Sequence, residues 1–362
     1  MLNQFCISII VPVYNAESHI DTCLNSLLKQ DFNKKFEIIL INDGSTDNSI
    51  NLIKKYEIPD LQLYSLTKNS GPSAARNLGL KKAKGRYVFF LDVDDTIAPN
   101  ILTTLYKIAD ETDYDMVFCD REWIENSRNQ KTDIFVYPTE QTFENSDFIQ
   151  AMEERFYNPT YPLGLFVLNG RLIKRSIITN NNLLFEEKLR YLEDEIFMWN
   201  ILAFIRSARY IRKQLYSYHV HHNVKTALSE VLNRGFQLSN FILAKNNIQN
   251  CLKERGFLTQ EIEKIADQAF IYFIISSLVS YSRSMILGKV ELENGLKYRR
   301  KMIDGILADP EVSKAIQNYS RSQKENSWIP RAIAWRSHKL LEFACSRRAK
   351  EILRIRRKRW LL

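Results

Sequence analysis

Four short apolar runs, each closing on a polar loop, constrain the fold of this 362-residue chain more than any other feature. Residues 6–13 (Cys-Ile-Ser-Ile-Ile-Val-Pro-Val) form an almost unbroken β-branched run, the pattern of a strand buried on both faces. Residues 36–41 and 61–66 read as a second and third strand, and 85–91 as a fourth. Helical spacing lies between them, over 19–28, around Ile50, Leu52 and Ile53, and from the loop after residue 69 to about Ala83. Strands alternating with helices at this interval predict a parallel sheet with right-handed crossovers. Ligands of such sheets bind beyond the carboxyl ends of the strands. That edge collects Tyr14 and Asn15, then Asp43, then Asn69, then Asp92 to Asp95, one polar loop per strand. Four polar loops on one edge predict a binding crevice.

The fourth run ends in three carboxylates within four residues, Asp92, Asp94 and Asp95. Asp is a poor strand former and is costly to bury unpaired. A divalent cation explains the cluster, because hard cations take oxygen ligands and offset carboxylate repulsion. A polar turn explains it too, with Asp94 or Asp95 capping a helix that starts near Pro99. A second acidic group, Glu193-Asp194-Glu195, heads a helical stretch. It reads as catalytic carboxylates, or as acidic residues placed there by the helix dipole. His219, His221 and His222 read equally as metal ligands or as a polar loop at a strand end.

Several of these segments carry a family resemblance. Pro12-Val13-Tyr14-Asn15, residues 42–47 (Asn-Asp-Gly-Ser-Thr-Asp), Asn69-Ser70-Gly71 with Ala75-Arg76-Asn77, and residues 90–95 (Phe-Leu-Asp-Val-Asp-Asp) stand in one order at normal spacing. Over roughly its first 100 residues the chain resembles the family 2 glycosyltransferases. The resemblance implies the α/β GT-A (Rossmann-like) fold, a mostly parallel sheet flanked by helices. It implies a nucleotide-sugar donor, a divalent metal (Mn2+ or Mg2+) and transfer with inversion at the anomeric carbon. Pro12, Tyr14, Asp43, Asn69, Arg76 and Asp92 would face the donor, with Asp94 on the metal and His219 as a further ligand. Tyr14 offers a ring face for a nucleobase, or packs in its loop. Asp43 accepts from a uracil imide, which favours UDP, or closes an Asx turn before Gly44. Arg76 pairs with the aspartates or a phosphate, or is a solvated helix residue. Asp95 is expected as a helix cap or as support for its neighbours. Residues 168–175 resemble the family's W-N-K-L-[YF]-[RK]-R segment, but lack its Trp and place Gly170 where Lys is common. By the same match Asp194 is the single general base, with Glu193 beside it to bind or orient the acceptor.

The organisation expected is a catalytic domain over 1–225, divided into a nucleotide-sugar half (1–120) and an acceptor half (121–225). Within the latter, 121–147 reads as a polar, irregular insertion. A helical region follows over 226–327, packing on the catalytic domain or on a second copy of the chain as a homo-oligomer. Residues 328–362 carry 11 Lys and Arg against 2 Glu, which accounts for the whole formal charge of +9. Basic residues mixed with Trp335, Phe343 and Trp360 predict an amphipathic helix on an anionic bilayer. No nucleic-acid-binding motif accompanies the charge, so a nucleic-acid partner is not expected. Five scattered cysteines without a C-x-x-C pair fit a reducing cytosol. With no signal peptide and no spanning helix expected, the chain reads as a peripheral enzyme at the inner face of the cytoplasmic membrane, working on a glycan or lipid-linked acceptor. A processive synthase is disfavoured by the missing Q-x-x-R-W motif. A nucleotidyltransferase would need a Gly-rich phosphate loop after the first strand, and Pro12-Val13-Tyr14-Asn15 is not one. A scaffold with a degenerate site would not keep Asp92, Asp94, Glu193 and Asp194.

Overall fold

The computed structural model describes residues 5–125, 130–133, 135–157, 164–189, 192–220, 238–254, 259–288, 292–320 and 328–359. His221, His222, Trp360 and the loop at 158–163 lie outside the described residues. The chain divides into two compact units, Met1–Ala151 with Pro162–Val224, and Met152–Tyr161 with Lys225–Leu362.

The first unit is built on one sheet. Its strands β1 (Ile7–Val13), β2 (Phe36–Asn42), β3 (Leu61–Ser65) and β4 (Tyr87–Phe90) lie in the order β3-β2-β1-β4. All three pairings among them are parallel. Helices α1 (Ile20–Leu28), α2 (Ser49–Ile53) and α3 (Pro72–Lys82) make the crossovers. Ile7, Ile9, Ile10 and Val11 of β1 are fully buried, as a strand covered on both faces requires.

Beyond β4 the sheet changes character. After β5 (Thr96–Ile97) and α4 (Ile101–Thr112) come β6 (Met116–Glu125), β7 (Gln130–Asp133), β8 (Gln141–Glu144) and α5 (Ser146–Tyr157). Then follow β9 (Arg171–Lys174), α6 (Arg175–Asn180), α7 (Glu193–Phe204) and β10 (Ser207–Val220). The sheet runs on as β4-β9-β6-β10-β5, with β7 on β6 and β8 on β10. Strand β9 is antiparallel to both β4 and β6, while β6 and β10 are parallel.

Two expectations need correction. Residues 121–147 are not an irregular insertion: β6 continues to Glu125, and β7 and β8 each add a strand. Strand β7 (Gln-Lys-Thr-Asp) pairs only with β6, so it carries no apolar alternation that would mark it. Neither Asp94 nor Asp95 caps α4, because β5 intervenes and Asn100 stands at the cap position.

The second unit is helical among its described residues. Helix Thr259–Ile286 lies at its centre, packed by Leu238–Glu254, Pro310–Asn318 and His338–Arg359. Its segment Ala266–Ile286 is long and apolar enough to cross a membrane by length and composition, yet 56% of it is buried within the fold. Phe270, Ile271, Ile274 and Leu278 face that core. Lys245 reaches Asp267 at 2.8 Å and Glu311 at 3.0 Å, so this buried cation is paired. The basic C-terminal segment belongs to the same unit. Helix His338–Arg359 buries Leu341, Ala344, Cys345 and Ala349.

Candidate active site

The polar loops gather at the carboxyl edge of the sheet. Tyr14, just past β1, is 47% exposed, so its ring face is open. Pro12 lies within β1 opposite Ile41. Asp43 follows β2, and its carboxylate accepts from the backbone N–H groups of Ser70 (2.7 Å) and Gly71 (2.8 Å). It thereby ties down the loop carrying Asn69, whose side chain is exposed. Burial raises the Asp43 carboxyl above its ordinary range, and those two N–H donors oppose the rise. Gly44 lets the two loops meet: at φ +68°, a Cβ there would lie 2.6 Å from the Asn69 nitrogen.

The centre of the site is Arg76. Its guanidinium is buried on α3 and forks between two carboxylates. Nη2 donates to Asp92 Oδ1 and Nη1 to Asp194 Oδ1, each at 2.8 Å. Glu193 lies 3.9 Å away. Burial works against the Arg76 charge, but Asp194, Asp92 and Glu193 more than offset it and raise its pKa. The solvated alternative for Arg76 is thus excluded. Residues 118 positions apart meet through one side chain.

Asp194 opens on the crevice with 34% of its side chain exposed. It stands in the first turn of α7, after Leu192 in a left-handed conformation (φ +67°), a strained entry for a branched residue. Surrounding protein pushes its carboxyl up to about 7, against the pull of Arg76 and with repulsion from Glu193 and Asp92. Asn77 supports this segment from α3. Its amide accepts from the Phe185 N–H (2.8 Å) and donates to the Phe185 carbonyl (2.9 Å) and Glu187 (3.0 Å).

Asp95 is neither exposed nor a cap. It is buried and accepts from Tyr216 Oη (2.7 Å) and the His219 N–H (2.9 Å). Asn169 Nδ2 lies within 3.3 Å of both Asp95 and Asp92, and within 3.0 Å of Tyr216 Oη. Asn169, Tyr216 and Asn77 therefore position the acidic groups, as does Arg121 by its charge. Sequence reasoning met Asn77 and Asn169 only as members of family segments and gave none of the four a role. Arg121 had a signal: it is a cation just past the apolar run Met116-Val117-Phe118-Cys119. Gly170 also finds its reason here. At φ +74°, beside the Cys119 sulfur, it turns the chain from Asn169 into β9, a conformation that disfavours the Lys common in its place.

For a divalent metal, the donor set is limited. Among the described residues, no three His, Cys, Asp or Glu side chains gather in metal-binding range. The His219 ring lies 3.0 Å from Thr96 Oγ1. Asp94 is exposed at the crevice. Burial, then Asp92 and Asp94, push the Asp95 carboxyl up to about 8. Exposed Asp94 beside half-buried Asp92 suits a hard cation bound by one or two carboxylates and completed by phosphate oxygens and water, the usual mode for Mg2+. The residues present fit such an ion.

Comparison with known proteins bears on the family and the fold. The family described as Glycosyl transferase family 2 matches residues 8–178. An uncharacterised glycosyltransferase, YibD of Escherichia coli strain K12, is 29% identical over 91% of this chain and 93% of its own. An uncharacterised glycosyltransferase, EpsJ of Bacillus subtilis strain 168, is 32% identical over 64% of this chain and 67% of its own. The crystal structure of S. aureus TarS 1–349 with UDP-GlcNAc superposes with a TM-score of 0.66 at 22% identity, covering 97% of this chain and 92% of that one. This likeness shows the fold, a central sheet flanked by helices, and the sequence matches show the lineage. The chain belongs to glycosyl transferase family 2 and is a transferase acting on sugars.

Proposed function

We propose that the protein transfers a sugar from a UDP-sugar to a saccharide or lipid-linked glycan acceptor, with inversion and with a divalent metal. The observation that carries this reading is the Arg76 fork, which holds Asp92 and Asp194 in one arrangement at 2.8 Å each. Tyr14 and Asp43 take the nucleoside, and Asp92 and Arg76 border the diphosphate. Asp94 would hold Mn2+ or Mg2+, with Asp92 beside it. The ion would supply charge neutralisation on the departing diphosphate. Asp194 accepts the proton of the acceptor hydroxyl while its oxygen bonds to the anomeric carbon. The bond from that carbon to the diphosphate breaks, and UDP leaves with the electron pair. A carboxyl raised toward neutrality is better matched to this proton than an ordinary Asp. Related TarS structures hold UDP and UDP-GlcNAc, which favours a UDP-sugar, in surface polysaccharide synthesis.

A panel of nucleotide sugars with Mn2+ or Mg2+, read by thermal shift and donor hydrolysis, tests the donor and the metal. A UDP-sugar should stabilise the protein and be hydrolysed only with metal. Asp94→Asn should remove the metal response while the fold survives. Equal metal response in that variant contradicts the assignment of Asp94.

The same reading places the enzyme at the inner face of the cytoplasmic membrane. On helix His338–Arg359, Lys339, Phe343, Arg347, Lys350 and Arg354 are exposed at i, i+4, i+8, i+11 and i+15, one helical stripe. Trp335 and Phe343 are 62% and 61% exposed. Basic residues with interfacial aromatics suit an anionic lipid surface, each cation adding about 1 kcal/mol. The protein should float with vesicles containing phosphatidylglycerol and not with neutral ones. A Lys339→Glu, Arg347→Glu, Lys350→Glu variant should stay behind. Flotation of that variant with the anionic vesicles contradicts the proposal.

A further inference from the structure

The exposed Trp123 and the half-buried Tyr218 stand beside the site, and the roles above leave them unused. Strands β6 and β10 run parallel, with Arg121 opposite Tyr216 and Trp123 opposite Tyr218. Alternate residues of a strand share a face, so Arg121 and Trp123 lie on one face of β6, and Tyr216 and Tyr218 on one face of β10. Tyr216 identifies that face as the one turned to the carboxylates, because its hydroxyl donates to Asp95 and accepts from the Asp92 N–H (3.3 Å). Tyr218 is one pleat further out, and the Arg121 guanidinium sits 5.9 Å from its ring centre. The Trp123 ring lies 5.4 Å from that of Tyr218, inclined by 52°. Trp123 is 40% exposed, whereas Phe118 and Tyr216 on the same two strands are buried.

Position separates this pair from the nucleoside. Tyr14 follows β1, and the sheet order β1-β4-β9-β6 puts Trp123 three strands away, about 14 Å at ordinary strand spacing. The carboxylates after β4 lie between.

We propose that Trp123 and Tyr218 form a platform for a pyranose ring of the acceptor, with Arg121 donating to its hydroxyl oxygens. An aromatic face offers a large apolar area with little entropy to lose, which suits the C–H face of a sugar. A guanidinium has five donors and no acceptor, which suits hydroxyl oxygens. The proposal rests on the glycosyltransferase reading above and assigns the acceptor side of that site.

The test measures methyl glycosides of glucose, galactose and N-acetylglucosamine by saturation-transfer NMR, with UDP and Mg2+ present. UDP binding is measured separately by calorimetry. Wild type is compared with Trp123→Ala and Trp123→Phe, and Trp335→Ala serves as a control. The platform predicts that at least one glycoside binds, about tenfold more weakly to Trp123→Ala, with most affinity kept in Trp123→Phe and all of it in Trp335→Ala. UDP affinity and Tm should be unchanged in all variants. Equal glycoside binding in Trp123→Ala overturns the proposal. So does the absence of glycoside binding to a wild type that binds UDP. Failure of wild type to bind any nucleotide overturns the underlying function instead. If Trp123→Ala loses its fold, Trp123→Phe decides: its loss of glycoside binding at unchanged Tm contradicts a stacking platform.

Discussion

Asp194→Asn should lower the rate of transfer by about 10²- to 10⁴-fold, the range a positioned base contributes. An amide keeps the shape of the carboxyl and its contact with Arg76, but it cannot take a proton. UDP affinity should therefore change little, and the loss should fall on kcat. The pH dependence supplies a second signature. With burial holding the Asp194 carboxyl near 7, the base is increasingly protonated as pH falls below that value. Activity of the wild type should thus rise with pH through an apparent pKa near 7 and then level. The residual activity of Asp194→Asn should lack that limb. Steady-state transfer from pH 5 to 9 checks both points. Full turnover by Asp194→Asn would falsify its role as base.

Arg76→Met should have the largest effect on stability. The Arg76 side chain is 5% exposed, while Asp92 and Asp194 keep 26% and 34% of theirs. Removing the cation leaves two carboxylates, with Glu193 near them, facing one another across an apolar stem. Breaking a buried pair by deleting one partner costs about 3–5 kcal/mol. Since both acids still reach water, the lower end applies, roughly 3 kcal/mol, or about 6–12 °C in Tm for a unit of this size. Catalysis should fall as well, because the base and the donor-side carboxylate lose their common anchor. Arg76→Lys should keep part of the stability and little of the activity: a compact ammonium lacks the planar fork whose two separate nitrogens hold Asp92 and Asp194 at 2.8 Å each. Differential scanning calorimetry of both variants checks the order. An unchanged Tm in Arg76→Met contradicts the account of the fork.

What the sequence disclosed follows from how locally each feature is encoded. The parallel half of the sheet is carried by dense β-branched runs and by turns such as Asn42-Asp43-Gly44, and β1 to β4 lie where those runs are. In the other half β7 is polar throughout (Gln-Lys-Thr-Asp), so it looks like loop until its partner β6 is known. Asp92, Asp94 and Asp194 were legible because three acids at a strand end, or two at a helix start, are conspicuous by themselves. Their supports were not. Asn169 and Tyr216 are ordinary polar residues by their local sequence, and their roles appear only when β9 comes alongside β4 and β10 pairs with β5 just past Asp95. Arg76 was visible as a cation, yet nothing local shows that it bridges residues 16 and 118 positions away. Asp95 illustrates the same limit: local rules favour a cap there, and tertiary packing instead buries it under Tyr216.

The central claim is that Asp194 serves as a base to the acceptor and never bonds to the sugar. The most direct test is the first anomer released when water replaces the acceptor. The α-linked UDP-sugar identified in the donor screen is hydrolysed by the wild-type enzyme, and 1H NMR follows the free sugar before it mutarotates. A single displacement predicts that the β-anomer appears first. Initial release of the α-anomer would contradict the account, because net retention excludes a single in-line displacement by a base-activated nucleophile.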